Sequence, residues 1–113
     1  MMYDKCKERL ARWMSTEYAH DPPLTAEDVT EDENGNIPIA YTTLGDNEEY
    51  QVQVYVNLHD CAVRYQLTDE NGPRFLSKEE EKYESLESLY YDFLEWLDFN
   101  ALISPFYDYV ETE

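Results

Sequence analysis

Residues 49–58 carry the feature that most limits the possible folds of this chain, a strict alternation of polar and apolar side chains. The apolar positions are Tyr50, Val52, Val54, Val56 and Leu58. Because successive side chains of a β-strand point to opposite faces, the pattern predicts a strand with one buried and one exposed face. Such a strand needs neighbours and a covering layer, so the fold must contain a sheet with other elements packed on it.

The segments on either side of this strand predict an antiparallel meander. Residues 37–42 alternate upstream, and residues 61–67 alternate downstream with Cys61 on the apolar side. Residues 74–76 predict an edge strand, because Pro73 is tolerated at the start or the edge of a sheet strand. The sheet is therefore predicted to have three or four strands.

An amphipathic helix is predicted over residues 3–18. Apolar side chains recur there every three or four residues, at Tyr3, Cys6, Leu10, Trp13 and Met14. Asp21-Pro22-Pro23 ends the helix, because proline lacks an amide hydrogen and disfavours helical backbone in the residue before it. In the polar connection that follows, Thr25 and Asp28 are expected to cap one short helical turn.

A second amphipathic helix is predicted after the sheet, and its start is open between two serines. Ser77 begins a capping-box pattern, whereas a cap at Ser85 leaves residues 78–84 as an acidic loop or strand end. The apolar stripe beyond consists of Leu86, Leu89, Tyr90, Phe93, Trp96 and Leu97. Asn100 is expected to cap a further short turn, and the aromatic residues 106–110 to dock on the body.

These elements predict an α+β fold in which an N-terminal and a C-terminal helix cover a three- to four-stranded antiparallel sheet. The length of 113 residues fits a single compact acidic domain over residues 1–113. Hydrophobic residues make up 42% of the chain and aromatic residues 15%, which is too rich for an acidic disordered segment.

The charge of the chain is large and unevenly distributed. There are 26 acidic and 8 basic residues, for a formal net charge of −18. Residues 1–20 are nearly neutral and hold Lys5, Lys7, Arg9 and Arg12, which we expect to lie near acids of the connection or the second helix. Residues 21–113 are strongly acidic. Their field repels nucleic acid and anionic membranes and attracts basic surfaces, so we expect no direct binding to either.

Catalytic, metal and cofactor motifs are not found in the sequence. Of the four soft ligands, His59 and Cys61 are two residues apart, but His20 and Cys6 lack the paired spacing of a zinc site. Asp32–Asn36 does not fit an EF-hand loop. Both cysteines fall on apolar faces and are expected to be small core residues. We therefore expect a non-enzymatic protein with no metal and no cofactor.

The sequence favours a cytoplasmic protein with reduced thiols. The first residues lead directly into a charged helix without the pattern of a signal peptide. No apolar run approaches the roughly 18 residues that a membrane-spanning helix needs. Two distant cysteines do not form the framework of a disulfide-rich domain.

Acidic side chains cluster on the predicted second helix and in two loops. Helix side chains three or four residues apart lie about 5–6 Å from each other, and duplex phosphates recur about every 3.4 Å along each strand. Such clusters are suited to a basic channel built for nucleic acid. The candidate partner-binding residues are Glu31, Asp32, Glu33, Glu79, Glu80, Glu81, Glu84, Glu87, Tyr91, Asp92 and Glu95, with Tyr91 as an aromatic anchor.

In its size, its acidic clusters at 27–33, 79–87 and 92–98, and the tyrosines among them, the chain resembles the small acidic proteins of phages and mobile elements that mimic DNA. These include anti-CRISPR and anti-restriction proteins. The resemblance implies an inhibitor of a basic nucleic-acid-binding protein such as a CRISPR effector or a restriction enzyme.

Two other interpretations stay open. The first is an acidic interaction module, adaptor-like or antitoxin-like, that binds a basic protein without imitating DNA. The second is an acidic surface that serves only for solvation. The oligomeric state is also open, including whether the exposed row of Gln51, Gln53 and Tyr55 forms a dimer surface.

Overall fold

Helices cover one face of an antiparallel sheet in the computed structural model, which describes residues 1–110. The last three residues of the predicted domain lie outside this range. The elements are α1 (Met2–Glu17), β1 (Asn36–Leu44), β2 (Tyr50–Asn57), β3 (Ala62–Asp69), β4 (Gly72–Phe75), β5 (Glu81–Lys82), α2 (Leu86–Asp92) and α3 (Phe99–Ile103). Short 3₁₀ turns span Ala26–Asp28, Leu94–Trp96 and Ser104–Asp108. The α+β fold predicted from the sequence is confirmed.

The sheet is a meander with strand order β1-β2-β3-β4. β5 pairs with the N-terminal end of β3, on the same edge as β4. Every pairing is antiparallel, with Val54 of β2 opposite Ala40 of β1 and Tyr65 of β3. A β-bulge shifts the register of β1 between Pro38 and Ala40. The predicted edge strand is present as β4, and β5 lies within residues 78–84, for which the sequence left a loop and a strand end open.

The core lies between the sheet and the helices. Val52, Val54 and Val56 of β2 are fully buried, as the alternation predicted. Cys6 of α1 is also fully buried, and burial raises the pKa of its thiol to about 11. Phe106 is fully buried against the ring of Tyr65, which confirms that the C-terminal aromatic segment docks on the body.

Cys61 does not occupy the position that the alternation predicted. It lies in the turn before β3, with a φ of 50° and a half-buried side chain. The chain needs left-handed backbone there to turn between two adjacent antiparallel strands. The strand therefore begins one residue later, at Ala62.

The second helix begins at Ser85 and not at Ser77. The Ser85 hydroxyl accepts a hydrogen bond from the Ser88 amide at 3.1 Å, while the preceding residues hold β5. The helix ends at Asp92, because Phe93 has non-helical backbone angles. The predicted continuation of one helix through Leu97 is therefore wrong, and Asp98, instead of Asn100, caps α3 through the Ala101 amide.

The predicted capping turn in the connection between α1 and β1 is confirmed. The Thr25 amide donates to Asp28 Oδ2 at 2.8 Å, and the Thr25 hydroxyl donates to the same oxygen at 3.1 Å. Both bonds favour the ionised carboxylate and hold the pKa of Asp28 below its usual value.

Candidate functional site: an acid-rich end of the sheet

The two predicted acidic loops lie at the same end of the sheet, where β2 turns into β3. Glu31, from the connection, is held between α1 and this turn. The Tyr3 hydroxyl donates to Glu31 Oε1 at 3.0 Å, and His59 Nε2 lies 2.7 Å from Glu31 Oε2. No other group of residues 1–110 donates to that buried oxygen, so it is satisfied when His59 Nε2 carries a proton.

Arg64 of β3 joins the connection, the turn and the segment before α2. Its guanidinium donates to Asp60 Oδ2 at 2.8 Å, to Glu80 Oε1 at 2.9 Å and to Asn36 Oδ1 at 3.1 Å. Burial alone would lower the pKa of Arg64, but the bonds to the two carboxylates outweigh it and raise that pKa. We call the surface formed by residues 31–33, Asp60 and residues 79–87 the acid-rich end.

A buried asparagine fixes the backbone on which these acids stand. Asn57 is fully buried, and its amide nitrogen donates to the Asn34 carbonyl at 3.0 Å and to Asn36 Oδ1 at 2.9 Å. Its side-chain oxygen accepts from the amides of His59 and Asp60. Because its donors and its acceptor are all satisfied, Asn57 can stay buried while it orders both loops.

Five of the predicted acidic residues form internal bonds. The Tyr109 hydroxyl donates to Glu79, and the hydroxyls of Tyr65 and Tyr83 donate to the two oxygens of Glu81. Burial, together with the bonds to Glu81, raises the pKa of Tyr65 and of Tyr83. The residues that contribute to the fold in this way are Glu31, Asp32, Glu79, Glu80 and Glu81.

The other five predicted carboxylates are exposed to solvent. They form no side-chain hydrogen bond or ion pair within residues 1–110, and they are Glu33, Glu84, Glu87, Asp92 and Glu95. Glu33, Glu84 and Glu87 belong to the acid-rich end. Because α2 ends at Asp92 and Glu95 lies in a 3₁₀ turn, the predicted acidic rows along one continuous helix are not formed.

Tyr91 lies beside an exposed tryptophan that the sequence placed in the core. Trp96 is 75% exposed, and its indole nitrogen donates to the Tyr91 carbonyl at 3.0 Å. The helix break at Phe93 turns Trp96 outward and buries Leu94 instead. Periodicity could not have decided this, because Leu94, four residues after Tyr90 and three before Leu97, lies as close to the apolar stripe of an unbroken helix as Trp96 does.

Two basic residues of α1, Lys5 and Arg9, lie near Glu95 as expected, and they contact rings and carbonyls there. Lys5 Nζ lies 4.7 Å from the ring centroid of Tyr90 and donates to the Tyr91 hydroxyl at 3.4 Å. Arg9 Nε donates to the Leu94 carbonyl at 2.8 Å. Lys5, Lys7, Arg9 and Arg12 form no ion pair in the part of the chain that the structure describes. α1 therefore packs against α2, and its basic side chains form no ion pairs with the acidic side chains of α2.

An open groove of about 800 Å³ lies between α1 and the connection, with Arg12, His20 and Glu27 in its lining. Ser15 also lines it, but the Ser15 hydroxyl donates to the Ala11 carbonyl and accepts from the Leu24 amide, both at 2.7 Å. This hydroxyl therefore has a structural role.

Within residues 1–110, no three His, Cys, Asp or Glu side chains are arranged to hold a metal ion.

No family model, curated protein or solved structure matches this chain. Over the described residues, no helix combines the length and the apolar character needed to cross a membrane.

Proposed function

We propose that this protein is a non-enzymatic inhibitor that binds the basic nucleic-acid channel of a nuclease or another nucleic-acid-handling protein through its acid-rich end. The observation that carries the proposal is the bridge from Asp60 through Arg64 to Glu80. Together with the contact of His59 with Glu31, this bridge holds two acidic segments, far apart in sequence, on one surface.

The paired and the unpaired carboxylates have different roles in this proposal. The paired ones fix the loops, so little conformational entropy remains to be lost on binding. The unpaired ones, Glu33, Glu84 and Glu87, are left to bind arginine and lysine side chains that would otherwise contact phosphates. Opposite fields also steer the two proteins together, which makes association fast and sensitive to salt.

The experiment is a displacement assay on a panel of guide-loaded CRISPR effectors and restriction enzymes. Fluorescence anisotropy of labelled duplex DNA reports displacement, and cleavage of the same duplex reports inhibition. We expect the protein to release DNA from at least one panel member, and added NaCl to weaken this effect. If no panel member releases its DNA or loses cleavage, the proposal is wrong.

Charge-neutral variants test the surface itself. The triple variant Glu33→Gln, Glu84→Gln, Glu87→Gln should weaken inhibition by about tenfold or more, because each lost charge-assisted contact weakens binding. The matched control is Glu17→Gln, Glu48→Gln, Glu70→Gln, which removes the same charge from exposed residues elsewhere. If the control weakens inhibition as much as the triple variant, net charge is responsible and the acid-rich end is not the binding surface.

The interruption of the acidic rows at Asp92 favours a second candidate, an adaptor-like or antitoxin-like module that binds a basic protein without imitating DNA. Such a module would bind a panel member while DNA stays in place. A ternary complex of the protein, the enzyme and labelled DNA would support this candidate against the inhibitor.

A further inference from the structure

The face of the sheet opposite the helices is open and forms three cross-strand rows. The central row runs across four strands as Tyr41, Gln53, Gln66 and Phe75. The two flanking rows contain Thr43, Gln51, Thr68 and Pro73 on one side, and Pro38, Tyr55 and Arg64 on the other. Tyr41 is 53% exposed and Phe75 48%, so the aromatic ends of the central row are in contact with solvent.

This open face lacks the charge that characterises the rest of the chain. None of its eleven side chains is acidic, in a protein with 26 acidic residues. Its one charged member, Arg64, is already paired with Asp60 and Glu80 where the third row borders the acid-rich end. The central row and the row of Thr43, Gln51, Thr68 and Pro73 therefore offer no carboxylate to a basic partner. A second acidic chain, in contrast, would contact no side chain of like charge on these two rows.

We propose that these rows form the contact between two copies of this chain. A two-fold axis parallel to the strands, between β2 and β3, places Tyr41 of one copy opposite Phe75 of the other. The same axis places Gln53 opposite Gln66. Aromatic rings then face aromatic rings, and amides, which carry both donors and an acceptor, face amides. The central row is thus complementary to itself, as a two-fold contact requires.

The sheet edges disfavour the other common way in which two sheets associate, which is pairing of edge strands. Pro38 in β1 and Pro73 in β4 have no amide hydrogen to donate. In β1 the Ile39 carbonyl already accepts from the Tyr18 hydroxyl at 2.7 Å, and the Asn36 carbonyl accepts from the Asp32 amide at 2.9 Å. Association through the face is therefore favoured over association through these edges.

The area and the charge together set the strength of this contact. Four strands about 4.8 Å apart, over about seven residues of about 3.3 Å each, give a patch of about 400 Å² per copy. This is below the roughly 600–1,000 Å² per partner of stable specific complexes, so the dimer should be weak.

Each copy carries a charge of −18, so added salt should strengthen the dimer by screening their repulsion. Binding of a basic partner has the opposite salt dependence, so the two contacts can be tested separately.

Sedimentation of the full chain tests the proposal. Samples of about 10 to 500 µM span the range of a weak dimer, in NaCl of about 50 and 300 mM. We expect a dimer fraction that rises with protein concentration and is larger at the higher salt. A monomer under all these conditions, or a dimer that dissociates as salt rises, would overturn the proposal.

Two variants place the contact on the face. Gln53→Glu puts a carboxylate in the centre of the central row and should weaken the dimer by about tenfold or more. Each new carboxylate is then buried against Gln66 of the other copy, and the two new charges lie diagonally across the axis from each other. Asn100→Glu is the matched control, since it adds the same charge at an exposed position of α3, which packs on the other side of the sheet. Equal effects of the two variants would show that total charge, and not this face, governs association.

A second face variant covers the case in which Gln53→Glu unfolds the chain. Phe75→Ser removes an exposed ring from the edge of the sheet, and thermal unfolding followed by circular dichroism verifies that it is folded. The folded variant should also lose most of the dimer. An unchanged dimer in folded Phe75→Ser would contradict the proposed contact.

Discussion

Arg64 and Glu80 form an ion pair at 2.9 Å that attaches the acidic segment before α2 to the middle of the sheet. The side chain of Arg64 is only 19% exposed, and the same guanidinium also bonds Asp60 and Asn36. Five donors in one planar group let arginine satisfy three acceptors at once. This residue therefore holds together the surface on which the proposed function depends.

Replacing Arg64 should destabilise the fold. Arg64→Ala leaves Asp60 without a counterion and Glu80 with only a contact to Lys82 Nζ at 3.8 Å. We therefore expect the free energy of unfolding to fall by about 2–3 kcal/mol. Urea unfolding measures the loss. The control is Arg74→Ala, because Arg74 is 49% exposed and pairs only with Asp69, a geometry worth about 0–1 kcal/mol. Equal losses of unfolding free energy in the two variants would show that Arg64 stabilises the fold no more than an exposed ion pair does.

The two tryptophans should behave in opposite ways. Trp13 is 8% exposed and Trp96 75%. We expect Trp13→Ala to cost about 3–5 kcal/mol of unfolding free energy, and Trp96→Ala less than about 0.5 kcal/mol. Fluorescence of single-tryptophan variants gives an independent measurement, since Trp96 should emit at longer wavelength than Trp13. A large stability loss in Trp96→Ala would mean that α2 continues past Phe93, as the sequence predicted.

Moderate salt should stabilise the fold. The unpaired carboxylates repel each other, and raising ionic strength from about 0.01 M to 0.1 M shortens the screening length from about 30 Å to about 10 Å. The melting temperature, followed by circular dichroism at a fixed low protein concentration, should rise over this range. A flat or falling melting temperature would show that carboxylate repulsion does not limit stability.

High pH should unfold the protein through its tyrosines. Burial raises the pKa of Tyr18 to about 12. Burial and the neighbouring carboxylate of Glu81 both raise the pKa of Tyr65. A raised folded-state pKa means that the unfolded chain loses protons first. This stabilisation is therefore complete below about pH 10 and is lost as pH rises further. Phenolate absorbance should lag behind that of free tyrosine and then rise together with the loss of circular dichroism.

Glu81→Gln tests the electrostatic part of this effect. The variant removes the carboxylate that Tyr65 and Tyr83 contact, so their pKa values should fall toward the range of ordinary tyrosine while the effect of burial remains. Part of the phenolate absorbance should then appear at lower pH than in the unmodified chain. An unchanged titration curve would assign the raised pKa values to burial alone.

Local sequence patterns were sufficient to predict the antiparallel meander and the first helix. Alternation over residues 49–58 predicted both the buried row of β2 and its open row. The spacing of apolar residues in α1 was sufficient because that helix is continuous. These features depend on periods of about 2 and 3.6 residues, which the chain carries locally.

Which acids are free depends on contacts between elements that are far apart in the sequence. The hydroxyl of Tyr65 bonds Glu81, 16 residues away, and that of Tyr109 bonds Glu79, 30 residues away, and no local pattern marks such contacts. In the same way, the break at Phe93 leaves Trp96 exposed and Leu94 fully buried in a 3₁₀ turn that contacts α1. Periodicity describes one element at a time, whereas pairing and burial depend on which elements meet in space.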